Sequence, residues 1–263
     1  MKILHVCHNY FPSQGGSQYT MKHLSENLVS LYNDEVEVCT SNSFYAPEYN
    51  MFRLIQPAQE TVNHVQIFRE KYRRWHYPLI SFSRKASYKL RGKDLPYHIV
   101  QRRSQLDAPN INKRMMQTNA EVIMATTAAY LFADYPAWRN KSENAKPFVL
   151  YGAIHVDRGP VIPPFFMKRT KMADCYIANT LHEKERLIIN GADEKKIHVI
   201  GTGIQPVDFV ADSDKATSYR SEMDVGASDI LITCIGRIKS GKGVDTLLSA
   251  FEMLLYKNLS KKL

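Results

Sequence analysis

The sequence predicts an α/β protein built on a parallel sheet with helices on both faces. Apolar runs of four to eight residues recur along the chain, with segments of helical period between them, the alternation a helix-covered parallel sheet requires. With 44% hydrophobic and 23% charged residues, the 263-residue chain can bury a full core and is not compositionally disordered.

The elements follow in order. KILHVCH at 2–8 reads as the first strand, and NYFPSQGG as the loop after it. A helix from about Ser17 places Met21, Leu24, Leu28 and Leu31 on one face, and VEVCT at 36–40 is the second strand. Together they form a βαβ unit with a right-handed crossover. Residues 41–63 are polar and loop-like, and 64–68 suit a further strand. A helix is expected near 98–118. Strands are expected in EVIMATT and KPFVLYGAIH, with a helical stretch around Ala129 to Arg139 between them. DCYIANT at 174–180 is another strand. The helix after it opens on a capping box, in which Thr180 accepts from the Glu183 amide and Glu183 reaches back. KIHVIGTGI closes this half. Residues 205–229 are punctuated by Pro, Gly, Ser and Asp, with room for a short helix, and mark a boundary between a first domain at 1–210 and a second segment at 229–263. ILITCI at 230–235 reads as a buried strand, followed by a helix with Val244, Leu247, Leu248, Phe251 and Leu254 at helical spacing.

The net charge of +9 is concentrated in one place. Residues 69–103 hold eleven Lys and Arg against Glu70 and Asp94, a surplus of nine, while the rest of the chain balances 24 basic against 24 acidic residues. Tyr72, Trp75, Tyr77, Phe82, Tyr88 and Tyr97 are interleaved with those cations, in a segment without a clean period. Tryptophan, tyrosine and basic residues together suit an anionic membrane surface. The alternative is a solvated, loop-rich insertion. No RNA- or DNA-binding module accompanies the segment, so nucleic acid is not an expected partner. MKILHVCHNYFP reads as neither a signal peptide nor a membrane anchor. Cys7, Cys39, Cys175 and Cys234 lie scattered in strand-like segments without a C-x-x-C pair, which suits buried free thiols in a reducing, cytoplasmic compartment.

Two loops can hold phosphate. GRIKSGKG, between a strand and a helix, combines glycines, Arg237, Lys242 and the free amides of a helix N-terminus. A solvated basic loop is the other reading. Gly236, Gly241 and Lys242 match most of a Walker A motif, but Gly243 stands where Ser or Thr would ligate magnesium. In the first loop, Gly15 and Gly16 permit close backbone approach to a ligand at the carboxyl end of the sheet. His155, after an apolar run, falls near a strand end, where it can contact a sugar hydroxyl or serve as a partly buried structural histidine. His5 and His8 read as structural.

These pieces, in this order, resemble the retaining glycosyltransferases of family 4, which have the GT-B architecture of two Rossmann-like domains. The resemblance rests on PSQGGSQYTMKHLSENL, AIHVD, MADCYIANTLHEKERLIINGADEKKIHVIGTGI and CIGRIKSGKGVDTLLSAFEML. The stretch 41–115 matches poorly, and GTGIQ replaces the usual Pro-Asn-Gly-Val-Asp. The resemblance implies a Rossmann-like acceptor-side domain followed by the start of a nucleotide-sugar-binding domain. It implies that Arg237 and Lys242 hold the donor diphosphate, with Gly16 near that phosphate, Gly15 on the acceptor side and His155 against the transferred sugar. It further implies transfer with retention to an acceptor, without cofactor or obligatory metal. The basic aromatic segment at 69–103 suits a lipid-linked or polysaccharide acceptor and a peripheral place on the inner face of a membrane. The family's pair of glutamates, seven residues apart, is not reached by Leu263. The chain is therefore expected to carry a truncated second domain, with a noncatalytic acceptor- or membrane-binding module as the alternative.

Overall fold

A central strand, β1 (Lys2–Cys7), organises the sheet. In chain order the further strands are β2 (Glu35–Ser41), β3 (Gln59–Val62), β4 (Val65–Glu70), β5 (Val122–Thr126), β6 (Phe148–Tyr151), β7 (Cys175–Ala178) and β8 (Ile197–Val199). They form one eight-stranded sheet in the order β3-β4-β2-β1-β5-β6-β7-β8, parallel throughout except for β3. The structure, a computed structural model, describes residues 1–44, 53–72, 76–96, 99, 108–128, 131–139, 145–154, 162–236, 238 and 240–256. It divides into Met1–Ile204, which contains the sheet, and Gln205–Leu263.

The α-helices among the described residues of the first unit are α1 (Gly16–Tyr32), α2 (His76–Arg91), α3 (Pro109–Gln117), the single turn α4 (Tyr135–Trp138), α5 (Pro164–Met172) and α6 (Leu181–Ile189). Alternation along β1 divides the core. Ile3 and Cys7 join Met21 of α1, Val36 and Val38 of β2, and Val65 and Ile67 of β4 on one face. Leu4 and Val6 join Ile111 and Met115 of α3, Met167 of α5 and Leu187 of α6 on the other. Both faces of β1 are thus covered, as an interior parallel strand requires.

Several expectations are corrected. Residues 59–62 are not loop but an edge strand, hairpin-paired to β4 through Asn63 and His64, whose φ of 49° and 65° are those of a type I′ turn. The turn lacks its usual glycine and QETV is too short and polar to register as a strand. The basic aromatic segment contains a sixteen-residue helix, α2, which shows no core-facing period because none of its described side chains is buried. On α1, Met21 is buried and Leu24 and Leu28 are half-buried as expected, but Leu31 is exposed and Ser25 is buried. Of the helix expected near 98–118, Pro109–Gln117 is present as α3, and nearly all of 98–107 lies outside the described residues; the helical stretch expected around Ala129 to Arg139 is present as a 3-10 turn, Leu131–Asp134, leading into α4, with Ala129 outside the described residues. Cys7 and Cys39 are buried, Cys175 is half-buried and Cys234 is exposed, contrary to the expectation of four buried thiols.

In the second unit, α7 (Ser213–Glu222) is capped by Asp212, which accepts from the amides of Asp214 at 3.1 Å and Lys215 at 3.0 Å. Residues 230–235 do not form the predicted strand: Ile235 is 97% exposed, and Ile230 and Ile232 are exposed as well. Apolar character alone does not make a strand, because the ladder needs a neighbour, and none of the described residues of this unit supplies one. The predicted helix is present as α8 (Val244–Tyr256), with Val244, Leu247, Phe251 and Leu254 half-buried and Leu248 exposed.

His5 is fully buried beneath α1. Ser25 Oγ donates to the Met21 carbonyl at 2.7 Å, so its contact of 2.7 Å with His5 Nδ1 has the imidazole as donor. Nε2 is then a buried acceptor without a hydrogen-bond partner among the described residues, and protonating it would strand a charge. Burial lowers the His5 pKa from 6.5 to about 4 and that of His8 to about 3. Both histidines thus belong to the scaffold, as the sequence implied. A depressed folded-state pKa means that the unfolded chain binds the proton first as pH falls. Stability is therefore expected to be full above about pH 6.5 and to fall toward pH 4, by up to about 1.4 kcal/mol per pH unit for each histidine. Urea midpoints at pH 7 and pH 5 check this; equal midpoints would contradict it. A Cβ at Gly152 would lie 1.6 Å from the phenolic oxygen of Tyr176, itself fully buried. Gly152→Ala is expected to lose about 1–3 kcal/mol of stability in denaturant unfolding.

Candidate functional site

The sheet order fixes where a ligand crevice opens. The chain passes from β1 to β2 and β4 on one side and returns through β5 to β8 on the other, so β1 and β5 flank the switch point at their carboxyl ends. The loop leaving β1 there is stitched at several points. Ser41 Oγ donates to the His8 carbonyl, Asn9 Nδ2 to the Ser43 carbonyl and Ser13 Oγ to the Phe44 carbonyl, each at 2.5 Å. Arg69, only 4% exposed, donates to the Phe11 carbonyl at 2.8 Å and the Pro57 carbonyl at 3.1 Å and is ion-paired with Glu60. This cation, counted by sequence among surface charges, instead ties the loop to the β3–β4 hairpin. Asn9 Oδ1 is buried without a hydrogen-bond partner among the described residues, leaving an acceptor at the end of β1.

Gly15 and Gly16 end that loop and begin α1. The first amides of a helix have no intrahelical acceptor, and here the N-cap, Gly15, has no side chain to cap them. The first turn holds no acid that would compete for an anion. A Cβ on Gly16 would meet nothing within 4 Å, so its backbone faces open space, whereas one on Gly15 would meet only the end of the Gln18 side chain. The helix start is thus open to an anion.

At the end of β6, the stretch Gly152–Ile154 is braced by Glu183. This carboxylate, only 3% exposed, accepts from the Tyr176 hydroxyl at 2.7 Å, the Asn179 amide at 2.8 Å and the Ile154 amide at 3.4 Å. Half of the predicted capping box is present, since Thr180 Oγ1 accepts from the Glu183 amide at 3.1 Å. The other half differs: the carboxylate reaches the Asn179 amide, one residue before the cap, because the Tyr176 hydroxyl draws it inward. Its sequence signal was visible but read as helix capping. Across the switch point, Arg169 holds the turn after β5, donating to the Ala128 carbonyl at 2.7 Å and, through Nε and Nη2, to Asp134 at 2.9 and 2.7 Å.

His155 and Arg237 lie outside the described residues. Lys242 ends a 3-10 turn, Ser240–Lys242, and is exposed. Gly243 follows at φ 68°, a left-handed conformation that disfavours any other residue, and its carbonyl accepts from the Leu247 amide at 3.0 Å. The absence of the Walker Ser or Thr is therefore a backbone requirement of this turn. Gly15 and Gly16 stand in the first unit and Lys242 in the second. Among the described residues no group of three or more His, Cys, Asp or Glu is placed to hold a metal ion. A separate cleft of about 600 Å³ beside α3 contains Arg114, but that cation is already paired with Glu70 at 3.2 Å and lies 3.9 Å over the Phe68 ring.

No protein-family model matches the chain, and no curated protein sequence does. Solved structures do. Anabaena Alr3699/HepE in complex with UDP superposes with a TM-score of 0.60 at 16% identity, over 96% of this chain and 58% of that one. The same protein in complex with UDP-glucose gives 0.59 at 15%, over 96% and 57%. The α,α-trehalose 6-phosphate synthase of Burkholderia multivorans gives 0.59 at 14%, over 98% and 60%. The fold is the Rossmann-like α/β fold found in GT-B glycosyltransferases. The chain spans 58% of the length of HepE and 60% of that of the synthase.

Packing does not require the glycine at position 16, since a Cβ there would meet nothing within 4 Å. Gly16→Ala is expected to leave thermal stability unchanged or slightly raised, since nothing crowds the new methyl and alanine favours a helix. If the open amides hold an anion, the added methyl is expected to weaken binding of pyrophosphate in calorimetry. A variant that loses stability and keeps its affinity would make the glycine structural.

Proposed function

We propose that the chain serves glycosyl transfer from a nucleotide-sugar donor. The observation that carries this reading is the uncapped, open N-terminus of α1 at the switch point of a sheet whose fold is shared with a protein solved in complex with UDP and with UDP-glucose. The leaving group in such a reaction is a nucleoside diphosphate, and its growing negative charge is what free helix amides and fixed cations stabilise. Gly16 lies on the donor-phosphate side in this reading and Gly15 on the acceptor side. Arg237, by bidentate contact, and Lys242, as a point charge, hold the diphosphate. His155 contacts the transferred sugar, at the end of a stretch that Glu183 keeps in register.

Retention of configuration, a glycan or lipid-linked acceptor and independence from metal complete the proposal, together with a peripheral position on the inner, anionic face of a membrane. No helix among the described residues is long and apolar enough to cross a membrane.

The test is binding before turnover. Arg237→Ala and Lys242→Ala are each expected to weaken UDP binding by about 1.5–3 kcal/mol, the usual worth of a hydrogen bond to a charged group. Unchanged affinity in both would remove the assignment. His155→Ala is expected to lower the transfer rate while leaving the unfolding midpoint in place; parallel losses would mark the histidine as structural. Hydrolysis or transfer of a radiolabelled nucleotide-sugar separates an enzyme from a noncatalytic binding module.

A further inference from the structure

The most exposed apolar surface among the described helices is on α2. Leu79, Phe82 and Leu90 are 60%, 74% and 81% exposed. With Ala86 they follow at intervals of three, four and four residues, which puts all of them on one narrow face. Lys85 and Lys89, one turn apart and both exposed, run along the edge of that stripe. They also line, with Ser81, Arg84 and Tyr88, a cationic cleft of about 580 Å³ on the same helix. The sequence of α2 has four cations and no acid.

Local bonds, rather than burial, hold this helix. Arg84 is bidentate to Asp94, with Nε at 2.7 and 2.9 Å from the two carboxylate oxygens, and the contact keeps the Asp94 carboxyl below its ordinary pKa. Ser87 Oγ donates to the Lys93 carbonyl at 2.8 Å, and Gly92 at φ 62° ends the helix in a left-handed turn. A helix closed on itself in this way can present an apolar face outward without needing the core. An apolar stripe beside a row of lysines fits a surface that is greasy below and negative above. Phe82 and the leucines reach the acyl boundary while the lysine ammonium groups stay at headgroup level.

We infer that α2 is an interfacial docking helix for an anionic lipid bilayer, with the Leu79–Phe82–Leu90 face inserted and Lys85 and Lys89 against lipid phosphates. This narrows the broader membrane contact of residues 69–103 to one helix face, and it stands independently of the donor-site reading because no nucleotide is involved. Arg69 and Arg84, both neutralised within the fold, take no part in the attraction.

The experiment is flotation of the full chain with vesicles of phosphatidylglycerol and phosphatidylcholine, against vesicles of phosphatidylcholine alone and against added inorganic phosphate. The chain is expected to float with the anionic vesicles only, and phosphate at the same charge concentration is expected not to displace it. Lys85→Gln with Lys89→Gln is expected to weaken binding roughly thirtyfold, about 1 kcal/mol per charge near such a surface. Phe82→Ser with Leu90→Ser is expected to weaken it at least tenfold without changing circular dichroism or the unfolding midpoint, because both side chains are exposed. Equal binding to neutral vesicles, displacement by phosphate, or full binding by the Phe82/Leu90 variant would each overturn the proposal. So would self-association in sedimentation velocity that the same Phe82/Leu90 variant abolishes, since the stripe would then be covered by a second copy.

Discussion

β1 is hydrogen-bonded to β2 on one side and β5 on the other, with apolar side chains buried above and below it. A strand so enclosed cannot satisfy its polar backbone with water, so its neighbours must run in register along its length. Lys2 aligns with Glu35, and Cys7 with Thr126. That registration places the ends of β1 and β5 side by side. It also decides that the loop after Cys7, the start of α1 and the turn after β5 all converge at one edge of the sheet.

Convergence alone would give only a crowded edge. The polar side chains that the sheet leaves at this end give it a fixed shape. Arg69 and Arg169 are long cations spent inside the fold, each bonded to a loop carbonyl and a carboxylate rather than displayed to solvent. Burying a guanidinium group is costly, and the bonds that Arg69 makes through its two Nη atoms and Arg169 through all three nitrogens offset that cost and hold the loops they touch to a narrow set of positions. Glu183 does the same for the end of β6 with three donors on one carboxylate. The open helix start at Gly16 is useful as a binding element because its surroundings are pinned in this manner.

The outer surface follows a different rule. α2 gains little from the core, and its order rests on the Arg84–Asp94 pair and a glycine-terminated turn. The second unit shows the opposite case: its apolar run at 230–235 is exposed and has no strand partner among the described residues, while α8 forms because a helix closes its hydrogen bonds within itself. Local structure that satisfies its own backbone appears without tertiary support; structure that must borrow a neighbour does not.

That distinction separates what the sequence by itself determined from what the tertiary structure decided. Continuous apolar runs revealed β1, β2, β4, β5, β6, β7 and β8, and capping chemistry at Thr180 located the start of α6, because burial on both faces and local hydrogen bonds leave their mark on consecutive residues. The glycines at 15 and 16 were legible for the same reason. The strand order, the polar hairpin strand β3, the inward turn of Glu183 and the burial of Arg69 were not. Each depends on a partner far along the chain, Arg69 on Phe11 and β1 on β5, and nothing in the local pattern says whether a cation will meet water or a carbonyl. Only folding brings those partners within reach, and it is their number and direction, not the residue's own chemistry, that turns a charged side chain into a structural bond.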